Sequence, residues 1–421
     1  MNTIFKPLVL VVILVSGMPT AFAEPDVDYA HFDVEAATRA YMDSLDPEQL
    51  AITDAYYEGG YWLDFWELLY SLLIAWILLN FALSTRMRDF GERISRFTFV
   101  RLTSYIFIYT LLVSIFSFPY LVYRFFIREH DYGLSNLSFI EWFGEQLIGL
   151  GIQVVLSCIG IALIYLIIRK APKKWPLWGA ITAFVMLGFI VLISPVYLSP
   201  LFNDYQPLEE GPLKERILSM ARANAVPADD VYMFDASKQS NRISANVSGL
   251  FGTTRISLND NLLNRTSAAG VEAVMAHEIG HYALNHGPKL LVSLGLIIAV
   301  GFAFVAWAFD RVNKPAWGIR DISDIAGLPL LLALFSVYLF LMTPVLNSIV
   351  RISETEADIF GLNAARQPDG FAEGMLGLAE YRKMKPGAWE EIIFFDHPSG
   401  YTRIHMAMRW KKENLQSLAE N

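Results

Sequence analysis

Six long apolar runs, at about residues 61–83, 102–127, 141–168, 176–199, 289–309 and 327–350, decide what this chain can fold into. Each is long enough to cross a hydrocarbon core of ~30 Å as a helix, which takes ~20 residues at a rise of ~1.5 Å each. Inside that core every backbone N–H and C=O must find its partner within the protein, so single runs of this kind fold as helices. Composition agrees, because 54% of the 421 residues are hydrophobic and only 18% are charged. The expected fold class is therefore mainly α, a polytopic membrane protein. A net charge of −9 leaves no excess of Lys and Arg for a phosphate backbone, which excludes nucleic acid as a partner. Cys158 is the sole cysteine and sits in an apolar run, so no disulfide framework or Cys-based zinc site can be built.

The segments between the runs set the expected topology. Residues 1–23 start with Lys6, continue through an apolar core too short to span, and reach Ala21-Phe22-Ala23, the layout of a cleaved signal peptide; the other reading is a first membrane helix. Residues 24–59 are polar and acidic, with one amphipathic stretch, and are expected outside the membrane. The loop after the first run carries Arg86, Arg88, Arg93, Arg96 and Arg101, and the loop after the third carries Arg169, Lys170, Lys173 and Lys174. Cation-rich short loops stay in the cytoplasm, which puts residues 24–59 and everything just after 199 on the opposite face, the periplasmic one in a bacterial-type inner membrane. Residues 200–287 turn mixed, with a helical pattern at 213–226 and strand-like pieces at 231–236 and 253–259, and read as a small α+β extramembrane domain. Two further runs within 288–350 return the chain to that same face, and residues 351–421 read as helices with charged open faces.

Chemistry concentrates where the α+β domain ends. His277, Glu278 and His281 form an H-E-x-x-H pattern in the stretch 271–287. On a helix, positions i and i+4 share a face, so both imidazoles can hold one Zn²⁺ while Glu278 reaches a water beside it. Gly287-Pro288 is expected to end this helix. A catalytic zinc takes three protein ligands, and the candidate third is Glu354, directly after the last apolar run; Glu356 and Asp358 follow it. Three carboxylates beneath an apolar span suit a ligand plus an acid that holds a ligating imidazole by its free N–H, although a solvated helix would also tolerate them. In the segment 396–403, His397 and Arg403 flank a turn and are candidates for holding the developing oxyanion. His286 lies five residues past His281, off the ligand face, and reads as structural; His31, His130 and His405 show no partner pattern.

The HEIGH pattern, the later SETEADIFG, the terminal HPSGYTRI and the segment SPLFNDYQPLEEGPLKERI together resemble the type I CAAX prenyl endopeptidases, the Ste24-like integral-membrane zinc metallopeptidases, from about residue 60 to 410. The resemblance implies a ring of about six to seven membrane helices around a water-filled chamber, one Zn²⁺ on His277, His281 and Glu354, Glu278 as catalytic acid/base and Asp358 as the acid behind a ligand. It assigns His397 and Arg403 to substrate and transition state. The family's substrate-binding Asn falls here at Ser244, and Asn246 stands two positions on as the nearest equivalent. The function expected is a zinc-dependent membrane endopeptidase acting on peptides or on membrane or secreted protein segments, CAAX-type by likeness. The competing reading is a non-catalytic membrane scaffold or transporter with a structural zinc. Its mark would be a missing base, and Glu278 is present.

Overall fold

The computed structural model describes residues 32–249 and 254–419. The expected signal peptide and His31 lie outside them. From Val34 onward the chain forms one unit, opening with the short helix α1 (Val34–Asp43) and then α2 (Pro47–Asn80), α3 (Leu83–Ile94), α4 (Thr98–Asp131), α5 (Phe139–Lys170) and α6 (Trp175–Leu201). Helix α2 starts where Asp46 caps the backbone N–H of Glu48 and Pro47 occupies the first turn. The polar residues 47–59 thus form the opening turns of the first apolar helix, because nothing in them breaks the helical backbone before the hydrophobic run takes over. Helices α2, α4, α5 and α6 are long and apolar enough to cross a membrane, and so are two later ones.

The loops after the first, third and fifth of these helices meet at one end. Arg88 Nη1 reaches Asp324 Oδ2 at 2.7 Å, Arg320 Nη1 reaches Glu92 Oε1 at 3.0 Å, and Arg169 Nε donates to the carbonyl of Ser323 at 3.2 Å. The tightly packed apolar core lies at this same end, where Leu78, Leu102, Tyr105, Tyr165, Ile168, Trp175 and Phe309 are buried together. Toward the other end the helices enclose polar space instead: a cavity of about 490 Å³ lined by Tyr61 and Asp64 of α2, Arg124 and Glu129 of α4, Glu145 of α5 and Arg242. Ile115, Val155, Leu177, Val185 and Leu296 of these helices are exposed, apolar surface of the kind that lipid covers.

The extramembrane domain is built on a four-stranded sheet of β1 (Tyr205–Pro207), β2 (Val231–Phe234), β3 (Ala245–Ser248) and β4 (Arg255–Asn259), in the order β1-β2-β4-β3. Strands β2 and β4 are parallel and the other two pairs antiparallel, which leaves β1 and β3 as edges. Helix α7 (Pro212–Ala223) packs on the sheet through Ile217 and Ala221, and the short α8 (Asp260–Arg265) leads into α9 (Ala268–Ala283). Val271, Met275 and Ile279 of α9, one helical face, close that core against Ile256 and Leu258 of β4. Ser267 caps the start of α9 through the N–H of Gly270.

Helix α9 stops at Ala283, four residues before the expected break at Gly287-Pro288. Asn285 takes the left-handed conformation (φ 58°) and α10 (His286–Val312) starts at the next residue. Pro288 belongs to the first turn of this new helix, where its missing N–H costs no hydrogen bond. The last apolar run continues without interruption into the acidic segment, forming one helix, α11 (Leu328–Ala365). Helices α12 (Pro368–Gly377), α13 (Ala388–Phe394) and α14 (Gly400–Ala419) complete the domain.

Candidate metal centre

Helices α9 and α11 cross directly at the histidines. Gly361 of α11 faces the backbone of His277, and Gly280 of α9 lies against Phe360. Residues 354, 358 and 361 share one helical face, so this glycine contact aims both Glu354 and Asp358 at α9. His277, His281 and Glu354 are brought together so that one ligand atom from each lies within 4.8 Å of the others. The Nε2 atoms of the two histidines are 3.0 Å apart, and each stands 3.3 Å from an oxygen of Glu354.

These three residues fit a divalent cation on four counts. Their separations, with each imidazole 3.3 Å from a different oxygen of Glu354, are of the size of the ~3.3 Å edge of a tetrahedron whose centre lies ~2.0–2.1 Å from each corner, the usual zinc distance. Glu354 Oε2 is buried with no well-aligned hydrogen bond among the described residues, and its near neighbours are the imidazoles of His277 and His397, an arrangement that a cation would satisfy better. Glu278, Glu354 and Asp358 bring three carboxylates to the centre, with the Arg403 guanidinium paired to Asp358. Finally, both ligand rings have their Nδ1 engaged elsewhere, which turns the Nε2 lone pairs inward.

His277 Nδ1 lies 2.8 Å from Asp358 Oδ1. Asp358 is fully buried and in turn accepts from Arg403, whose Nε is 2.8 Å from Oδ2. Burial works against a charged His277, but the neighbouring Asp358 and Glu354 outweigh it and raise its pKa to about 9. Left to the side chains alone, the site therefore holds a proton on His277, for which a metal competes. Burial raises the Glu278 carboxyl above its ordinary range, opposed by the nearby histidines. A carboxyl shifted this way is a better base near neutral pH.

Beside the ligands is a cavity of about 200 Å³, whose wall includes His277, Glu278, His397 and Arg403. His397 reaches in from the segment before α14, with Nε2 3.2 Å from Glu354 Oε2 and Nδ1 2.7 Å from Asp396 Oδ1. Burial lowers its pKa, with the Asp396 hydrogen bond opposing. Arg403 lies behind the metal ligands as the buried partner of Asp358 while also facing this cavity. On the sheet side the wall is formed by Ser244 and Ala245, and Asn246 does not line it. Neighbouring strand residues point to opposite faces, and Ala245 and Val247 are the pair packed toward α9.

Two residues in contact with this site are not picked out by the spacing pattern. His286 Nδ1 lies 2.9 Å from His281 Nδ1, and His286 Nε2 lies 3.0 Å from Glu356 Oε2. Gly361 carried no signal either, beyond standing seven residues after Glu354.

Known proteins resemble the chain along nearly its whole length. Residues 29–204 match the family described as CAAX prenyl protease N-terminal, five membrane helices, and residues 207–411 match peptidase family M48. An uncharacterized metalloprotease of Bacillus subtilis, YhfN, is 28% identical over 375 residues, 88% of this chain and 87% of that one. CAAX prenyl protease 1 of Saccharomyces cerevisiae is 32% identical over 185 residues, 43% of this chain and 40% of that one. The crystal structure of S. mikatae Ste24p shares the fold with a TM-score of 0.74 at 21% identity, covering 91% of this chain and 100% of that one.

Proposed function

Because this chain belongs to peptidase family M48 and is a membrane metalloprotease, we propose that it is a zinc-dependent endopeptidase with one Zn²⁺ per chain, held by His277, His281 and Glu354. The observation that carries this reading is the convergence of two imidazoles and a buried carboxylate on one point beside Glu278. When bound, zinc supplies a Lewis acid that polarises the scissile carbonyl and lowers the pKa of water.

The protein's own groups do the rest. Glu278 takes a proton from the attacking water and returns it to the leaving amine. Asp358 holds His277 by Nδ1, and Arg403 fixes Asp358. His397 faces the reacting carbonyl from the cavity side and stabilises the developing charge. The edge strand β3 offers an extended peptide main-chain pairing beside Ser244 and Ala245. A purely structural zinc would need its coordination closed by a fourth side chain; the cavity reaching Glu278 favours catalysis.

For substrate, the names of the relatives point to C-terminal CAAX peptides, whereas the topology points to secreted or membrane-protein segments. The cation-rich loops support a site on the far side from the cytoplasm, in a bacterial-type inner membrane. The test is Glu278→Gln, assayed on casein and a labelled peptide. We expect kcat to fall by about 10²- to 10⁴-fold with metal content unchanged; undiminished activity would overturn the assignment.

A further inference from the structure

His281 lies near the end of α9, and a continuous helix would carry a residue five positions later ~140° around the axis, away from the metal. The left-handed Asn285 breaks that continuity, and α10 starts by bringing His286 back against His281. His286 is 4% exposed, so both its ring nitrogens must find protein partners. They find them in series. Among the described residues Nε2–H has the Glu356 carboxylate to donate to, at 3.0 Å, which leaves Nδ1 as an acceptor. The group that Nδ1 accepts from is Nδ1–H of His281, at 2.9 Å. With its proton fixed on Nδ1, His281 turns its Nε2 lone pair toward His277 and Glu354.

Glu356 owes its place to helix geometry. It stands two residues from Glu354 on α11, about 200° around the axis, so one carboxylate faces the ligands while the other reaches over to His286. The side chain of Glu356 is 49% exposed and lies 3.6 Å from Lys289 Nζ.

We propose that His286 and Glu356 form a positioning relay for His281, fixing its tautomer and ring orientation and thereby setting the metal affinity of the centre. Each ligand imidazole is then held from α11: His277 directly by Asp358, and His281 through one intervening ring by Glu356. The relay joins the first residue of α10 to α11, so it also ties a ligand to the two apolar helices that follow the α+β domain. The inference rests on the metal reading above.

The experiment measures Zn²⁺ affinity by chelator competition, and the Co²⁺ absorption spectrum, on the purified full-length protein. The variants are His286→Leu, His286→Gln and Glu356→Ala. His286→Leu should weaken zinc binding about 10- to 100-fold and shift the Co²⁺ bands. His286→Gln, whose carbonyl accepts and whose amide donates in the same order, should restore much of both. Glu356→Ala, a half-exposed change that leaves packing intact, should weaken affinity in the same direction and covers the case in which His286→Leu does not fold. A merely structural role would lower the melting temperature of the metal-free protein and leave affinity unchanged, which would overturn the relay. Parental affinity in both His286→Leu and Glu356→Ala would overturn it alone. A parent that takes up no stoichiometric ion would overturn the metal reading as well.

Discussion

Gly361 packs so closely on His277 that a Cβ there would stand 2.9 Å from the His277 backbone nitrogen and 3.1 Å from its Cα. Backbone cannot step aside as a flexible side chain can, so Gly361→Ala should push α11 off α9 and move Glu354 and Asp358 away from the imidazoles. We expect a loss of about 1–3 kcal/mol of stability together with weaker metal binding. Gly60→Ala is the control, because nothing lies within 4 Å of a Cβ there; mid-helix, it should leave stability unchanged or raise it by up to ~1 kcal/mol. Thermal melts and metal titration of both variants check this.

Arg403 and Asp358 are 4% and 0% exposed and hold each other. Removing one partner leaves a buried charge uncompensated, which typically costs about 3–5 kcal/mol. Arg403→Leu should therefore destabilise the fold strongly. Asp358→Asn should in addition lower metal affinity about 10- to 100-fold through loss of the group behind His277. Denaturant unfolding and chelator competition separate the two effects.

The charge on His277 gives a pH dependence of definite sign. Its pKa of about 9 lies above the 6.5 of an ordinary histidine. Protonated His277 therefore stabilises the metal-free fold fully below about pH 6.5, and this contribution disappears as the pH rises through about 9. Protein stripped by a chelator should lose melting temperature between pH 7 and pH 9. Ligation needs the deprotonated ring, so metal uptake at pH 7 should release a proton and apparent affinity should climb with pH up to about 9. Calorimetric titration in buffers of different ionisation enthalpy counts that proton.

Membrane orientation is tested by reporter fusions. A fusion near Gly133, in the loop after the second apolar helix, should report a non-cytoplasmic location, and one near Pro172, in the Lys-rich loop, a cytoplasmic one. The reverse pattern would place the site in the cytoplasm and favour CAAX-type substrates over secreted ones.

The architecture was readable wherever a long-range pattern carries it. Apolar runs longer than a bilayer is thick admit only helices, and the four-residue spacing of His277 and His281 fixes their common face. Within the pieces at 231–236 and 253–259 the structure has strands at Val231–Phe234 and Arg255–Asn259, while β1 and β3, three and four residues long, are too short for any alternation to show. What sequence spacing could not reveal depends on single backbone angles and close approaches. His286 appeared to face away because the left-handed turn at Asn285 has no periodic signature, and asparagine is only one of the residues that adopt it. Gly361 was silent for a similar reason, since nothing in a helical sequence tells a glycine that permits contact from one that merely tolerates solvent. The wall at Ser244 and Ala245 in place of Asn246 turns on the pleat of an edge strand, which one residue of register reverses.

The central claim, that His277, His281 and Glu354 share one divalent ion, is tested most directly by anomalous diffraction at the zinc edge from crystals of the full-length protein grown with the metal. A single peak per chain within about 2.0–2.3 Å of both Nε2 atoms and of a Glu354 oxygen is predicted. No peak there, or one bound through other side chains, would contradict the account.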